Sequence, residues 1–452
     1  MRDACGVGVR GRCAVVVDHG CSCLGEARVV EAAAHIVDDA VGLLRRRIRR
    51  PEAQRHAADY LRGLIAEVER KNGWQLAEHA GYAHPRGMQR VLARYAWDAD
   101  AVRDDLRTDV VAALGDPDAV LVLDETGFPK QGAHSAGVAR QYCGTLGKIA
   151  NCQVGVFLGY ASPRGHAGID RALFVPREWE ADPRRCQAAG VPAMPHRTKP
   201  QLGLELLERA LDAGVVAAWV VADEVYGSDG RLRRALEARD QAYVLAVRSN
   251  EMPSTWPPYG PPAQSAVTAL AATLPPDAWQ RLSCGEGSQG PRWYDWGWVP
   301  LRPALREGWL HALLIRRHPA RPTEVAYSLV YAPRDRPLGA IVRAAGTRWT
   351  IEAMFKLAKG QVGLDHYEVR SWQGWHRHIT LALLALAVLA RGAVKKGASP
   401  APCTSRSPSP NSDACSSGWP GPWGIPPSAS APGRAGGGAT RKPPKPPTAV
   451  AA

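Results

Sequence analysis

Two aspartates that follow short aliphatic runs are the first candidates for chemistry in this chain. Asp124 comes directly after the run at residues 120–123 and precedes Glu125 and a turn-forming glycine, Gly127. A run of this kind is typical of a strand that is buried on both faces. An aspartate at the end of such a strand is held at the rim of the sheet, where open α/β folds place their reactive groups. The alternative for a single aspartate is that it caps the following helix.

The segment AWVVADEVYG, residues 218–227, repeats the pattern. Its aliphatic run ends in Asp223, which precedes Glu224 and Gly227. Two neighbouring strands that each end in an aspartate bring two carboxylates within reach of one cation. Because side chains alternate along a strand, we expect Glu125 and Glu224 to point away from that cation.

A third acidic candidate lies in the segment RWTIEAMFKLAKG. At about 100° per residue, Arg348, Glu352 and Lys359 fall on one face of a helix. The alternative is a surface helix in which Glu352 pairs with Arg348, four residues earlier. Three carboxylates without a His or Cys cluster favour Mg²⁺ or Mn²⁺ over zinc. Two such ions activate a water or a 3′-hydroxyl in phosphodiester chemistry, and Arg348 and Lys359 would neutralise phosphate oxygens.

The charge balance of the 452-residue chain favours a polyanionic partner. Fifty-seven Lys and Arg residues against 43 Asp and Glu residues give a net charge of +14, which suits nucleic acid; a basic tail on a neutral enzyme is the alternative. The scattered cysteines lack the spacing of a structural zinc site. No signal peptide is evident, and the longest apolar run, residues 379–390, is too short to span a bilayer. We expect a cytoplasmic, nucleoid-associated protein that does not enter a membrane.

A short helical pattern at residues 73–98 is compatible with a helix-turn-helix. Met88, Val91 and Leu92 form the inward face of its second helix, and the alternative is a plain helical hairpin with a solvated basic face. The polar loop expected at residues 129–148 carries Lys130, either as a phosphate contact or as a solvated side chain. The outward face of the second helix offers these residues to DNA: Arg86, Gln89, Arg90 and Arg94.

Strands followed by strand–helix alternation predict an α/β protein with a mixed sheet flanked by helices, a β-rich insertion and an N-terminal helical domain. The expected divisions are a poorly ordered segment at 1–30, a helical DNA-binding domain at 31–115, the first part of the core at 116–248, the β-rich insertion at 249–335, the C-terminal helices of the core at 336–394, and a disordered tail rich in Pro, Ser, Gly and Ala at 395–452.

The chain resembles bacterial insertion-sequence transposases of the DDE type, which are DDE superfamily endonucleases with a ribonuclease-H-like core. The resemblance rests on VLDETGFPKQG, QYCGTLGKIANCQVGVFLGYAS, TKPQLGLELL with WVVADEVYG, and RWTIEAMFKLAKGQVGLDHYEVRSWQGWHRHITL, and it covers roughly residues 46–391. It implies that Asp124, Asp223 and Glu352 are a catalytic, metal-binding triad for two Mg²⁺ (or Mn²⁺) ions.

Related transposases carry a Tyr-x-x-Arg-x-x-x-Glu-x-x-x-x-x-x-Lys signature on the glutamate helix. Arg348, Glu352 and Lys359 match it, whereas Ala345 stands at the tyrosine position. This departure affects the contribution of the tyrosine to binding a DNA end, not the triad. Residues before about 40 and after about 391 do not resemble the family and have the composition of an out-of-frame reading. We therefore hypothesise that this copy is altered at both ends.

The resemblance implies a DNA transposase. Such a protein binds the double-stranded ends of its element, hydrolyses phosphodiesters and joins the freed 3′ ends to target DNA, and synapsis of two ends implies a homodimer. Two alternatives remain open at this point. One is a catalytically impaired remnant that only binds DNA, and the other is a ribonuclease-H-like nuclease without strand transfer.

Overall fold

The computed structural model describes residues 22–255, 263–287 and 290–395. Within these ranges the helices are α1 (Ser22–Arg47), α2 (Pro51–Ile65), α3 (Gly73–His79), α4 (Arg86–Ala93), α5 (Ala99–Leu114), α6 (Arg177–Glu180), α7 (Pro183–Ala189), α8 (Lys199–Asp212), α9 (Glu224–Gly227), α10 (Gly230–Ala238), α11 (Val267–Ala272), α12 (Leu338–Thr347), α13 (Trp349–Val362) and α14 (Trp372–Lys395). The strands are β1 (Val120–Pro129), β2 (Ala139–Cys143), β3 (Lys148–Ser162), β4 (Gly165–Phe174), β5 (Trp219–Ala222), β6 (Tyr243–Val247), β7 (Ser254–Thr255), β8 (Ala263–Gln264), β9 (Gln280–Gly287), β10 (Gly290–Pro303), β11 (Trp309–His318) and β12 (Arg321–Pro333).

Helices α1 to α5 precede the first strand, and local sequence explains several of their ends. The Asn72 side chain caps α3 by accepting hydrogen bonds from two backbone N–H groups, and the Asp98 side chain caps α5 by accepting one from the N–H of Asp100. The predicted boundary near residue 31 falls inside α1, which begins at Ser22. Residues 1–21 of the segment expected to be poorly ordered, and residues 396–452 of the expected tail, lie outside the described residues.

One mixed sheet of ten strands organises the rest of the chain. Its order is β2-β3-β1-β5-β6-β12-β11-β10-β9, and β4 also pairs with β3. β1, β5 and β6 are parallel, whereas β3 is antiparallel to both β1 and β4. In the five-strand group β4-β3-β1-β5-β6, β3 therefore runs against the other four. The predicted ribonuclease-H-like mixed sheet flanked by helices is confirmed.

The β-rich insertion is present, and most of it extends the core sheet. β12 pairs antiparallel with β6, with Tyr327 opposite Val247, and β11, β10 and β9 follow in turn. β7 and β8 form a separate two-stranded sheet. The sequence pattern could identify these strands but not their pairing, because β6 offers its free edge to a strand about eighty residues further along.

The loop that was expected at residues 129–148 is present at residues 130–138, but a hairpin takes the place of its second half. β2 pairs antiparallel with the start of β3, with Ala139 opposite Cys152 and Cys143 opposite Lys148. The prediction of a loop was wrong for residues 139–148, because glycines at 137, 144 and 147 mask a short strand. Gly137 and Gly147 adopt positive φ, the backbone region that glycine tolerates best.

Helix α14 lies in the core. Trp375, Ile379 and Leu383 are buried, and the helix packs on β4 and on α1, α2 and α5. The stretch Trp372–Val394 is long and apolar enough to cross a membrane by length and composition, but 67% of that window is buried inside the protein. Its apolar surface therefore serves the core.

Acid is expected to weaken the fold through His378. This ring is buried; Nε2 donates to the Gly363 carbonyl and Nδ1 accepts from the Tyr60 hydroxyl. Burial lowers the pKa of His378 from 6.5 to about 4. Between pH 4 and pH 6.5 the unfolded chain therefore binds more protons than the folded protein. The stability that the neutral His378 ring contributes is complete above pH 6.5 and is lost as pH falls towards 4.

In denaturant titrations, His378→Gln should show a shallower fall of unfolding free energy over this window.

Candidate active site

Asp124 lies where the parallel part of β1 stops. The pairing of β1 with β5 runs from Val120 opposite Trp219 to Leu123 opposite Ala222. The strand does not end there, as the sequence had suggested, because residues 124–129 continue their antiparallel pairing with β3. Asp124 is therefore held inside a continuous strand that stays paired with β3 before and after it. Its Oδ1 accepts a hydrogen bond of 2.7 Å from the N–H of Glu125.

Asp223 is the residue that follows Ala222 on β5, so it stands next to Asp124 at the same edge of the parallel strands. It is also the N-cap of α9, because its Oδ1 accepts a hydrogen bond of 2.9 Å from the N–H of Val225. Capping and proximity to a second carboxylate were alternatives for the sequence. The structure has both, since one carboxylate has two oxygens and several acceptor positions.

The two aspartates oppose each other's ionisation. Burial, followed by the charge of Asp223, raises the pKa of Asp124 well above its usual value. Burial, followed by the charge of Glu125, raises the pKa of Asp223 to about 6. The Arg348 guanidinium lowers both values but does not cancel the shift. The two carboxyl groups therefore ionise less readily than free ones, because they are buried and lie beside other carboxylates, and a bound cation would offset both effects.

Arg348 links Asp124 to Glu352. Its Nη2 lies 3.1 Å from Glu352 Oε1, and its Nη1 lies 4.0 Å from Asp124 Oδ2. The Arg348–Glu352 pair proposed as an alternative is thus present, and it lies beside Asp124. Glu352 keeps 39% of its side chain exposed, whereas Asp124 keeps 15%. Across the described ranges no three His, Cys, Asp or Glu side chains form a ready-made metal cluster.

The Lys359 ammonium forms hydrogen bonds within the protein. Its Nζ donates to Thr126 Oγ1 at 2.9 Å, to the Gly127 carbonyl at 3.2 Å and to Thr145 Oγ1 at 2.9 Å. Burial lowers its pKa. The lysine predicted to neutralise phosphate thus ties α13 to the second half of β1, and this tie fixes the helix that carries Glu352.

Glu125 interacts with more of the site than the sequence pattern predicted. It points to the α8 side of the sheet, away from Glu352, as alternation predicts. There its carboxylate accepts from Lys199 Nζ and from the Tyr226 hydroxyl, each at 2.6 Å. Its charge still raises the pKa of both Asp124 and Asp223. The local signal was the acidic pair Asp124–Glu125, but the partners lie 74 and 101 residues away.

The Lys199–Glu125 pair should show strong coupling in a double-mutant cycle. Lys199→Met leaves a partly buried carboxylate without its cation, which costs about 1–3 kcal/mol, and Glu125→Gln in the same chain removes most of that cost. The readout is the free energy of unfolding in urea. The exposed pair Arg197–Glu205 is the control and should couple by less than about 1 kcal/mol. Equal coupling in the two cycles would contradict the role given to Lys199.

The candidate DNA-binding side chains lie in two places. Arg86 and Arg90 are exposed on α4, while Met88, Val91 and Leu92 on its other face are buried. Lys130 is partly buried, with its Nζ 3.7 Å from the centroid of the Tyr367 ring. Burial lowers the pKa of Lys130 to about 8.

Known proteins of similar sequence belong to the family that the chain resembles. The DDE superfamily endonuclease family matches residues 43–296, which is more than half of the 452 residues. This range contains Asp124 and Asp223, and Glu352 lies beyond it. The chain is also similar to "Probable transposase for insertion sequence element IS701" from Microchaete diplosiphon, with 31% identity over 196 residues, 42% of this chain and 47% of that protein. It therefore spans about half the length of this curated relative. By the extent of the family match and by its motifs, the chain belongs to the DDE superfamily endonucleases.

Proposed function

We propose that this protein is the DNA transposase of an insertion sequence. In this proposal it binds the double-stranded ends of the element, hydrolyses phosphodiesters there and joins the 3′ ends to target DNA. The observation that carries the proposal is the pair Asp124 and Asp223, next to one another where the parallel pairing of β1 with β5 stops, with Arg348 and Glu352 beside them. Family membership and the similarity to a transposase support it.

The donor set fits hard divalent cations. Asp124 and Asp223 offer carboxylate oxygens where negative charge is in excess, and such oxygens suit Mg²⁺ or Mn²⁺. Glu352 would complete the set on release from Arg348. Two bound ions would supply an activated nucleophile and stabilise the leaving oxygen.

In this proposal the basic side chains of the protein have separate roles in binding DNA. Arg348, freed from Glu352, would bind a phosphate oxygen of the DNA, for which a guanidinium is well shaped. Lys359 would contact the DNA backbone on release of one of its hydrogen bonds to β1, and Lys130 would do so from the loop that follows β1. Arg86 and Arg90 on α4 would hold duplex DNA. Two protomers would hold two ends, and the protein would act in the cytoplasm, at the nucleoid.

A single assay tests the proposed function. The protein is incubated with a labelled duplex that carries an end of its own element, a target plasmid and Mg²⁺. We expect a joined product that is absent when EDTA is added. Cleavage without joining would overturn the proposal in favour of a nuclease, and a gel shift without cleavage would overturn it in favour of a DNA-binding remnant.

A further inference from the structure

The hairpin of β2 and the start of β3 exposes large apolar side chains together. Tyr142 and Ile149 are cross-strand partners, and each is 61% exposed. Leu146, in the single 3₁₀ turn Gly144–Leu146 that joins the strands, is 44% exposed. Residues 139–149 are hereafter the hairpin. A contiguous exposed apolar surface of this kind is typical of a binding site. Contact between the directly opposed side chains of Tyr142 and Ile149 also stabilises the pairing of the two strands.

The surroundings of the hairpin are basic. The sequence has no Asp or Glu from residue 126 to residue 169. The hairpin itself carries Arg140 and Lys148, and both are exposed. Exposed aromatic and aliphatic groups flanked by cations, with no acidic neighbour in sequence, complement a polyanion that also offers flat apolar faces. Nucleic acid has both properties.

The hairpin is fixed to the candidate active site. Thr145 Oγ1 donates to the Gly127 carbonyl at 2.9 Å, and Lys359 Nζ on α13 donates to the same Thr145 oxygen at 2.9 Å. A Cβ on Gly127 would lie 2.6 Å from Cys143 Sγ, so β1 and the hairpin are in close contact. The hairpin is thus anchored to the strand that carries Asp124 and to the helix that carries Glu352.

Asp124 is recessed, since only 15% of its side chain is exposed. A straight, fully paired duplex is wide and stiff, and its phosphates reach a recessed site with difficulty. Proteins commonly solve this problem by inserting apolar side chains between base steps, which unstacks and bends the DNA. Aromatic side chains then hold the unstacked bases.

We propose that the hairpin is a DNA wedge: Tyr142, with Ile149 and Leu146, stacks on bases beside the cleaved phosphodiester and holds them out of the duplex. The proposal deepens the proposed function and rests on it. The occupant is double-stranded DNA opened next to the cleavage point. Arg140 and Lys148 hold the backbone on either side of the wedge.

The test uses the full-length protein with Tyr142→Ala/Ile149→Ala, and Val216→Ala as the matched control. Val216 is another aliphatic side chain with 64% exposure. All three side chains are exposed, so melting temperatures should stay within a few degrees of that of the wild type. The DNA is an element end with 2-aminopurine beside the scissile phosphate, either fully paired or with two mismatched base pairs there. Fluorescence reports unstacking on binding, and product formation reports cleavage.

The wedge predicts that wild type and Val216→Ala raise the fluorescence of the paired end, and that the double variant does not. Cleavage of the paired end by the double variant should fall on the order of tenfold, and the mismatched end should restore it to within about twofold of wild type. Unchanged fluorescence and cleavage in the double variant, or a loss that mismatches fail to restore, overturns the wedge. Because fluorescence is read on bound DNA, a wild type that binds without cutting refutes the proposed function and still tests the wedge.

Discussion

Replacement of Asp124 or Asp223 by asparagine should abolish strand cleavage while leaving DNA binding within about twofold. The buried carboxylate pair provides the negative charge that a divalent cation requires, and an amide cannot replace it. For residues that act as one unit, single losses reduce turnover on the order of a thousandfold or more. Glu352→Gln should have the same effect on cleavage. Retained cleavage in any one variant would remove that residue from the proposed triad.

The two aspartate substitutions should stabilise the protein in the absence of divalent ions. The folded state raises the pKa of Asp223 from 3.8 to about 6, so it binds more protons than the unfolded chain between those values. Stability is therefore lost as pH rises through this window, and the whole cost is present above pH 6. Asp223→Asn should raise the melting temperature by several degrees at pH 8 and should give no gain below pH 3.8. Asparagine also keeps the cap of α9.

Glu352→Gln is the matched control for that stability effect. Its carboxylate is 39% exposed and paired with Arg348, so its removal relieves no buried repulsion. It should lose cleavage without a gain in melting temperature. An equal gain in all three variants would show that crowding of Asp124 and Asp223 is not the cause.

The second large effect is expected at Gly227, in the helical turn that follows Asp223. A Cβ at this position would overlap the backbone carbonyl of Ala246 on β6. The clash would be between backbone atoms of the turn and of β6, which cannot move aside as the end of a flexible side chain can. Gly227→Ala should lower the free energy of unfolding by about 3 kcal/mol, measured by urea denaturation, and should displace the Asp223 carboxylate.

Gly360→Ala is the control, because a Cβ at Gly360 on α13 meets no atom within 4 Å. Alanine in a helix interior is favoured over glycine, so this variant should gain about 0.5–1 kcal/mol. If both variants changed stability in the same direction, close approach of backbone at Gly227 could not be the reason for its loss.

The sequence predicted the fold class and the positions of Asp124 and Asp223 because buried parallel strands have a clear signature. An uninterrupted aliphatic run marks each strand, and the next residue marks the edge of the sheet. The extension of β1 beyond Asp124 was not visible, since it depends on pairing with β3. The hairpin strand β2 was missed because glycines obscured its alternation.

Contacts between residues that are distant in sequence could not be predicted from the sequence pattern. The face of α13 was identified correctly, but the pattern could not show that Lys359 would reach Thr126 and Thr145. The clamp on Glu125 by Lys199 and Tyr226 likewise joins three separate elements. Periodicity reports which face of an element is buried, whereas the partner on that face is chosen by tertiary packing.

The most direct test is a count of Mn²⁺ ions bound to the full-length protein by electron paramagnetic resonance. The measurement compares the wild type with Asp124→Asn/Asp223→Asn at pH 7.5. Saturable binding in the wild type that disappears in the double variant is the predicted result. Equal binding by both proteins would contradict a cation site at this carboxylate pair.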